Sequence, residues 1–387
     1  MSHFEESLRD DLARLDQQHR RRACPEVSGA SRTAITLPAD QPALSFASND
    51  YLNLASDPRL AEAAAQAAHQ TGFGASAARL VSGDLPAHRD LEAALAAHLQ
   101  REAALLFPTG YQANIGVLTA LAGADDLIVS DALNHASIID GCRLSRARVA
   151  VYPHGDVRAA EALLASGASA RRRLLVTESI FSMDGDRAPL PELAAAASRF
   201  DAALVVDEAH AFGVVGPGGR GLSAQLGVVP DVLVATLGKA LGAAGGFVAG
   251  SGVLRDYLVN RARTFIFTTA SPPPVAAAAT RALAIAAGPE GEERRARLAA
   301  LAASLAAHLA RLGQASGRTG PIFPFIIGSD ERALALSSEL RRRGLFIPAI
   351  RPPTVPEGTA RLRITLSAGH TEGDLDRLAA ALADLSA

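Results

Sequence analysis

The sequence predicts an α/β fold: a mainly parallel central sheet in a large domain, followed by a smaller α+β C-terminal domain. Three observations predict it. Five short apolar runs, at 127–129, 149–152, 174–176, 203–206 and 232–235, are separated by alanine-rich helical stretches, and runs of that length without polar alternation read as strands covered on both faces. Several end in polar residues, namely Ser130 and Asp131, Thr177 and Glu178, Asp207, and Thr236; in open α/β sheets ligands bind beyond the carboxyl ends of the strands. The length of 387 residues exceeds what one core usually organises, so a second domain is expected.

In chain order, Ser2 and Glu5 have capping-box spacing, and Phe4, Leu8, Leu12 and Leu15 recur at helical spacing, which predicts an amphipathic opening helix. Residues 1–45 are expected to form that helix and an arm, 46–284 the large domain, and 285–387 the small one. Helices are expected over 58–70, 86–99, 112–121 and 190–200. The glycine-rich stretch 232–254 contains a lysine, which is costly in lipid, so it reads as strand, turn and second strand rather than a membrane span. A proline-rich break at Ser271-Pro272-Pro273-Pro274 precedes two long helical stretches, and 322–327 and 362–366 are strand-like.

Composition narrows the function. Hydrophobic residues at 49% and charged ones at 20%, with a net charge of −2, describe a globular protein without the basic surface that a nucleic acid requires. The clusters Arg20-Arg21-Arg22, Arg171-Arg172-Arg173 and Arg341-Arg342-Arg343 are short and scattered, and read as solvated surface. Cys24 and Cys142 are far apart, which indicates neither a disulfide framework nor a metal site. Acids at Glu5 and Glu6 occupy the place where a signal peptide needs positive charge. A cytoplasmic protein is expected.

Of the 38 basic residues only Lys239 is lysine. Arginine replaces lysine wherever charge alone is needed, but it cannot act as a neutral amine nucleophile. Lys239, set in Thr236-Leu237-Gly238-Lys239-Ala240-Leu241-Gly242 after an apolar run, is therefore a candidate for Schiff-base chemistry. Upstream stands Asp207-Glu208-Ala209-His210. These letters also spell a helicase ATP-binding box, but no phosphate loop of the form G-x-x-x-x-G-K-[ST] precedes them. An acid at a strand end, a histidine three residues on and a lysine after the next strand suit pyridoxal phosphate (PLP): lysine for the aldehyde, carboxylate for the ring nitrogen. The remaining readings are Asp207 as a helix cap and His210 as a core histidine. Pro108-Thr109-Gly110-Tyr111 leads into a helix whose free N–H groups favour an anion, and Thr236 lies three residues before Lys239; together they form a candidate phosphate site.

These residues resemble the α-oxoamine synthases of the fold type I PLP enzymes. The resemblance spans nearly the whole chain: Ser48-Asn49-Asp50-Tyr51-Leu52, Gly110-Tyr111-Gln112-Ala113-Asn114, Leu133-Asn134-His135-Ala136-Ser137, Phe181-Ser182-Met183-Asp184-Gly185-Asp186, Asp207 to His210, the lysine loop, Phe265-Ile266-Phe267-Thr268-Thr269, and Arg361-Leu362-Arg363. It implies a decarboxylative condensation of an amino acid with an acyl thioester. Asp207 to His210, 181–190 and 347–356 look most like the branch that joins L-alanine to a pimeloyl thioester; branches using glycine with acetyl-CoA, glycine with succinyl-CoA, or serine with a palmitoyl thioester share the machinery. The acyl carrier is either coenzyme A or an acyl carrier protein.

The resemblance also implies roles. Lys239 would bear the cofactor, Asp207 would meet the ring nitrogen, His210 the phenolic oxygen, and His135 would stack on the ring, although by pattern alone His135 reads equally as a cap or a surface histidine. Gly110, Tyr111 and Thr236 would hold the phosphate, and Ser182 would lie near cofactor and acyl group. Thr268 and Thr269 would reach the phosphate of the neighbouring subunit, which implies a homodimer. Arg363, with Arg361 as the alternative, would clamp the amino-acid carboxylate. Asn49, Ser76, Thr354 and Arg21 would contact substrate, with a solvated helix end as the other reading of Arg21. Two departures stand near these positions: Asn53 where the family has glycine, and a loose match over 83–88.

Overall fold

A computed structural model of the chain describes residues 2–29, 33–314 and 320–386. It divides into two compact units. One combines Asp50–Ser182 with Asp186–Arg297, and the other combines Met1–Asn49, Met183–Gly185 and Leu298–Ala387. The breaks fall at 49/50 and 297/298, against expected boundaries at 45/46 and 284/285, and the N-terminal residues cluster with the C-terminal ones.

The strands begin with β1 (Ala34–Leu37) and β2 (Gln41–Ser45). Those of the larger unit are β3 (Ala103–Phe107), β4 (Leu127–Asp131), β5 (Arg148–Tyr152), β6 (Arg173–Glu178), β7 (Ala203–Asp207), β8 (Val232–Thr236) and β9 (Gly246–Gly250). They form one sheet in the order β3-β9-β8-β7-β6-β4-β5. Only β9 runs against its neighbours; the pairs from β8 to β5 are parallel.

Side-chain alternation sends successive residues of a strand to opposite faces, and both faces here are apolar cores. Leu174, Val176 and Val205 join a cluster with Phe107, Val117 and Phe265; Leu175, Leu204 and Val206 join another with Leu164, Leu190 and Leu193. That is why these strands read as unbroken apolar runs. β5 departs from the expectation of two covered faces: Val149 and Val151 are exposed, because β5 closes the sheet and packs on one side only.

The expected helices form as Pro58–Thr71, Pro86–Leu99, Gly110–Leu121 and Leu190–Arg199. The third starts two residues earlier than its periodicity suggests. Thr109 is extended and its hydroxyl caps Gln112 N–H, which brings Gly110 to the helix N-terminus.

In the smaller unit β1 pairs with β2, and β2 pairs in parallel with β11 (Leu345–Phe346). A second sheet runs in the order β10-β13-β12, where β10 is Ile322–Gly328, β12 is Ala349–Ile350 and β13 is Ala360–Thr365. The opening helix, His3–Gln17, is capped by the Ser2 hydroxyl on Glu5 N–H. Its stripe of Phe4, Leu8, Leu12 and Leu15 forms as expected but stays exposed.

Candidate active site

The carboxyl ends of β4, β6, β7 and β8 each deliver a functional group. Beyond β8 the chain turns sharply, with Gly242 N–H bonded to the Lys239 carbonyl at 2.8 Å. Gly242 has φ +61°, and a Cβ there would lie 2.3 Å from Ala55 N, so the turn excludes a side chain. Lys239 is held half-buried, with Nζ 2.7 Å from Nε2 of His210. The other ring nitrogen, Nδ1, is 2.7 Å from the Tyr51 hydroxyl. When Lys239 donates to Nε2, the ring proton sits on Nδ1 and goes to Tyr51.

Asp207 closes β7 and is buried. Its Oδ1 accepts Ala209 N–H at 2.8 Å and its Oδ2 accepts Asn114 Nδ2–H at 2.7 Å. Asn114, on the Gly110–Leu121 helix, also donates to Ser137 Oγ at 2.9 Å. Next to Asp207 in register on β6 stands Glu178, fully enclosed; burial first, then the charge of Asp207, pushes its carboxyl well above the usual range.

His135 caps a helix and lines the cavity described below. Its Nδ1 accepts Ser137 N–H at 3.2 Å, capping the helix Ala136–Ser145, and lies 2.7 Å from Ser137 Oγ. The proton of the neutral ring is therefore on Nε2. Burial lowers its pKa, opposed by the charge of Asp207, while the charge of Lys239 lowers it further.

Gly110 packs against Thr236, where a Cβ would meet the Thr236 Cβ at 3.4 Å, and a Cβ on Gly246 would lie 2.5 Å from Gly110 N. The absence of side chains brings this helix N-terminus against the end of β8. The Tyr111 hydroxyl donates to Asp140.

Gly110, Tyr111, His135, Asp207, His210, Thr236 and Lys239 thus line one cavity of about 160 Å³. Its lining also includes Asn114 and Glu178; with Tyr51, these are the residues that sequence reasoning left without a role. Their signals were present: Tyr51 and Asn114 stand inside quoted motifs, and Glu178 is a strand-end acid. Ser76, Ser182, Thr268 and Thr269 lie outside this lining. Ser182 is buried, whereas Ser76 is exposed with φ +61°.

The other predicted residues belong to the smaller unit. On β13, Arg361 and Arg363 are both buried. Arg361 Nη1 is 2.5 Å from Asp184 Oδ1, while Arg363 presents both terminal nitrogens to Asn49 Oδ1 at 3.2 Å. Arg21 pairs with Asp16 at 2.6 Å; it is Arg22 that donates to Thr354 Oγ1, at 3.3 Å. Among the described residues no cluster of His, Cys, Asp and Glu could hold a metal ion, and no helix is long and apolar enough to cross a membrane.

Comparison with known proteins places this site in a lineage. Residues 41–382 match the model of the aminotransferase class I and II family. An 8-amino-7-oxononanoate synthase from Anaeromyxobacter dehalogenans (strain 2CP-1 / ATCC BAA-258) is 53% identical over 376 residues, covering 96% of this chain and 94% of that protein. Among solved structures, a serine palmitoyltransferase from S. paucimobilis with bound PLP–myriocin aldimine superposes with a TM-score of 0.92 at 28% identity, covering 100% of this chain and 99% of the other. An 8-amino-7-oxononanoate synthase from Francisella tularensis gives 0.77 at 28% identity, with 89% and 97% covered. The chain belongs to the aminotransferase class I and II family, among the 8-amino-7-oxononanoate synthases.

Proposed function

We propose that the protein is a PLP-dependent acyltransferase of biotin biosynthesis, which condenses L-alanine with a pimeloyl thioester to give 8-amino-7-oxononanoate, carbon dioxide and the free thiol carrier. The observation that carries this reading is the meeting of the chain's sole lysine with a buried aspartate in one cavity, in a chain 53% identical to a synthase of that name. The cavity fits PLP. Lys239 offers an amine to the aldehyde, Asp207 offers a carboxylate already oriented by Asn114 and Ala209, and the helix N-terminus at Gly110 beside Thr236 suits a phosphate.

PLP, when bound, supplies an aldehyde that takes an amine as an imine and a protonated ring that accepts a carbanion's electron pair. The protein's own groups hold and move the protons. Asp207 keeps the ring-nitrogen proton in place by charge. Lys239 Nζ, as a neutral amine, would take the substrate's α-proton and later return it, with His210 Nε2 at 2.7 Å steadying the amine between steps. His135, in the lining with Nδ1 held by Ser137, would offer its Nε2–H and ring face to the bound group.

Arg363 holds the alanine carboxylate through paired N–H donors; the commitment of Arg361 to Asp184 supports this choice. Asn49, Ser76, Ser182 and Thr354 shape the substrate site. Arg21 approaches the acyl carrier, coenzyme A or a carrier protein, with Arg22 beside it on Thr354. Thr268 and Thr269 serve the phosphate of a second copy in a homodimer, supported by the exposure of the adjacent Phe267 and of Phe73. Unpaired Cys24 and Cys142 support a reducing, cytoplasmic setting.

The test is to supply the PLP-loaded protein with L-alanine, glycine or L-serine and with pimeloyl, acetyl, succinyl or palmitoyl thioesters on either carrier, measuring released thiol and carbon dioxide. Turnover with L-alanine and a pimeloyl thioester is expected. Turnover confined to glycine or serine would overturn the substrate assignment.

A further inference from the structure

Glu178 is the buried acid that the mechanism above leaves unused. It closes β6 and is 2% exposed, and it lines the Lys239 cavity. Parallel register pairs it with Asp207, so both side chains leave the same face of adjacent strands, about 4.8 Å apart at the backbone. Its Oε1 is buried without a hydrogen-bond partner, and the nearby main-chain N–H groups of His135 and Ser182 favour the charged form only in part against burial.

An oxygen left without any donor suits a neutral carboxylic acid better than a carboxylate, which needs donors on both oxygens. Two carboxylates side by side in a dry site do not both ionise. Asp207, with N–H donors on both oxygens, is the one suited to the charge. The groups facing Glu178 are Asp207 from β7, Lys239 from the loop after β8, and His135 from the helix after β4; burial and Asp207 push its pKa up, and Lys239 opposes them.

We propose that Glu178 works as a neutral acid that donates a hydrogen bond to the group bound in this cavity, leaving Asp207 as the charged carboxylate of its lining. The proposal rests on the cavity binding PLP and is independent of which amino acid and thioester react.

Three proteins test it: wild type, Glu178→Gln and Glu178→Leu. Infrared spectra of wild type with ¹³C-labelled glutamate, with and without PLP, are expected to show a protonated-carboxyl band that shifts with the label and is missing in Glu178→Gln. The amide keeps a donor and an acceptor, so Glu178→Gln is expected to bind PLP within about threefold of wild type, whereas Glu178→Leu removes the donor and weakens binding about tenfold or more. Absence of the band in wild type overturns the proposal. So does Glu178→Gln losing PLP as severely as Glu178→Leu while melting at the wild-type temperature, because the working form would then be the anion.

Discussion

Lys239 Nζ and His210 Nε2 are 2.7 Å apart. The contact ties the only amine side chain to an imidazole whose far nitrogen is held by Tyr51, so the resting position of Nζ is set by two groups outside its own loop.

Lys239→Ala should therefore abolish turnover, and with it the absorbance near ~420 nm that a lysine-bound cofactor gives. Tyr51→Phe should keep the colour and the fold while lowering kcat about threefold to tenfold, the cost of one lost hydrogen bond. Ultraviolet–visible spectra and steady-state kinetics check both.

Asn114→Ala removes the donor on Asp207 Oδ2 and leaves a buried carboxylate oxygen without it. A loss of about 1–3 kcal/mol is expected, read as weaker PLP binding in a cofactor titration. Asp207→Asn should be far worse in kcat, because the amide supplies no charge to hold the ring-nitrogen proton.

His154 bridges Asp131 at 2.9 Å and Asp186 at 2.7 Å, and those two carboxylates raise its pKa to about 10. A raised folded value means the contribution to stability is complete below the unfolded value of ~6.5 and is lost as pH rises through about 10. Thermal melts should accordingly fall over that window, and His154→Gln should flatten the slope. On the acid side Asp57 and Glu290, held near Arg59 and Arg294, are lowered to about 2. Their contribution is present above the unfolded values of ~4 and vanishes as pH falls towards about 2.

Asn53 has φ +55°, and its carbonyl, with that of Leu52, accepts from Arg294 Nη1. Left-handed backbone is tolerated by glycine and asparagine and costs other residues about 1–2 kcal/mol. Asn53→Gly should leave denaturant stability nearly unchanged, whereas Asn53→Val should lower it by about that amount.

Strands β4, β6, β7 and β8 were legible because both of their faces are apolar, and Lys239 because the composition isolates it. β3 was missed: Ala103–Phe107 is fully buried, but its two alanines carry little strand preference in a chain rich in helical alanine. The opening β1–β2 hairpin includes Pro42 on β2, and a proline argues against a central strand, which is the place β2 takes between β1 and β11. Asn114 and Tyr51 escaped because their roles arise from contacts with Asp207 and His210, 93 and 159 positions away, and local spacing does not report such distances. The arginine triplet was ambiguous for a different reason. Three identical side chains take different partners, Glu357 with Asp330, Asp16, and Thr354, and only coordinates assign them.

The solitary lysine also makes the cavity its own reporter. Apart from the N-terminus, Lys239 is the chain's sole primary amine, so borohydride fixation of the cofactor marks one known peptide. A lysine-specific protease, applied after denaturation, cleaves each unmarked chain at a single bond and spares each marked one. The ratio of intact to severed chains then measures occupancy without any assay of turnover.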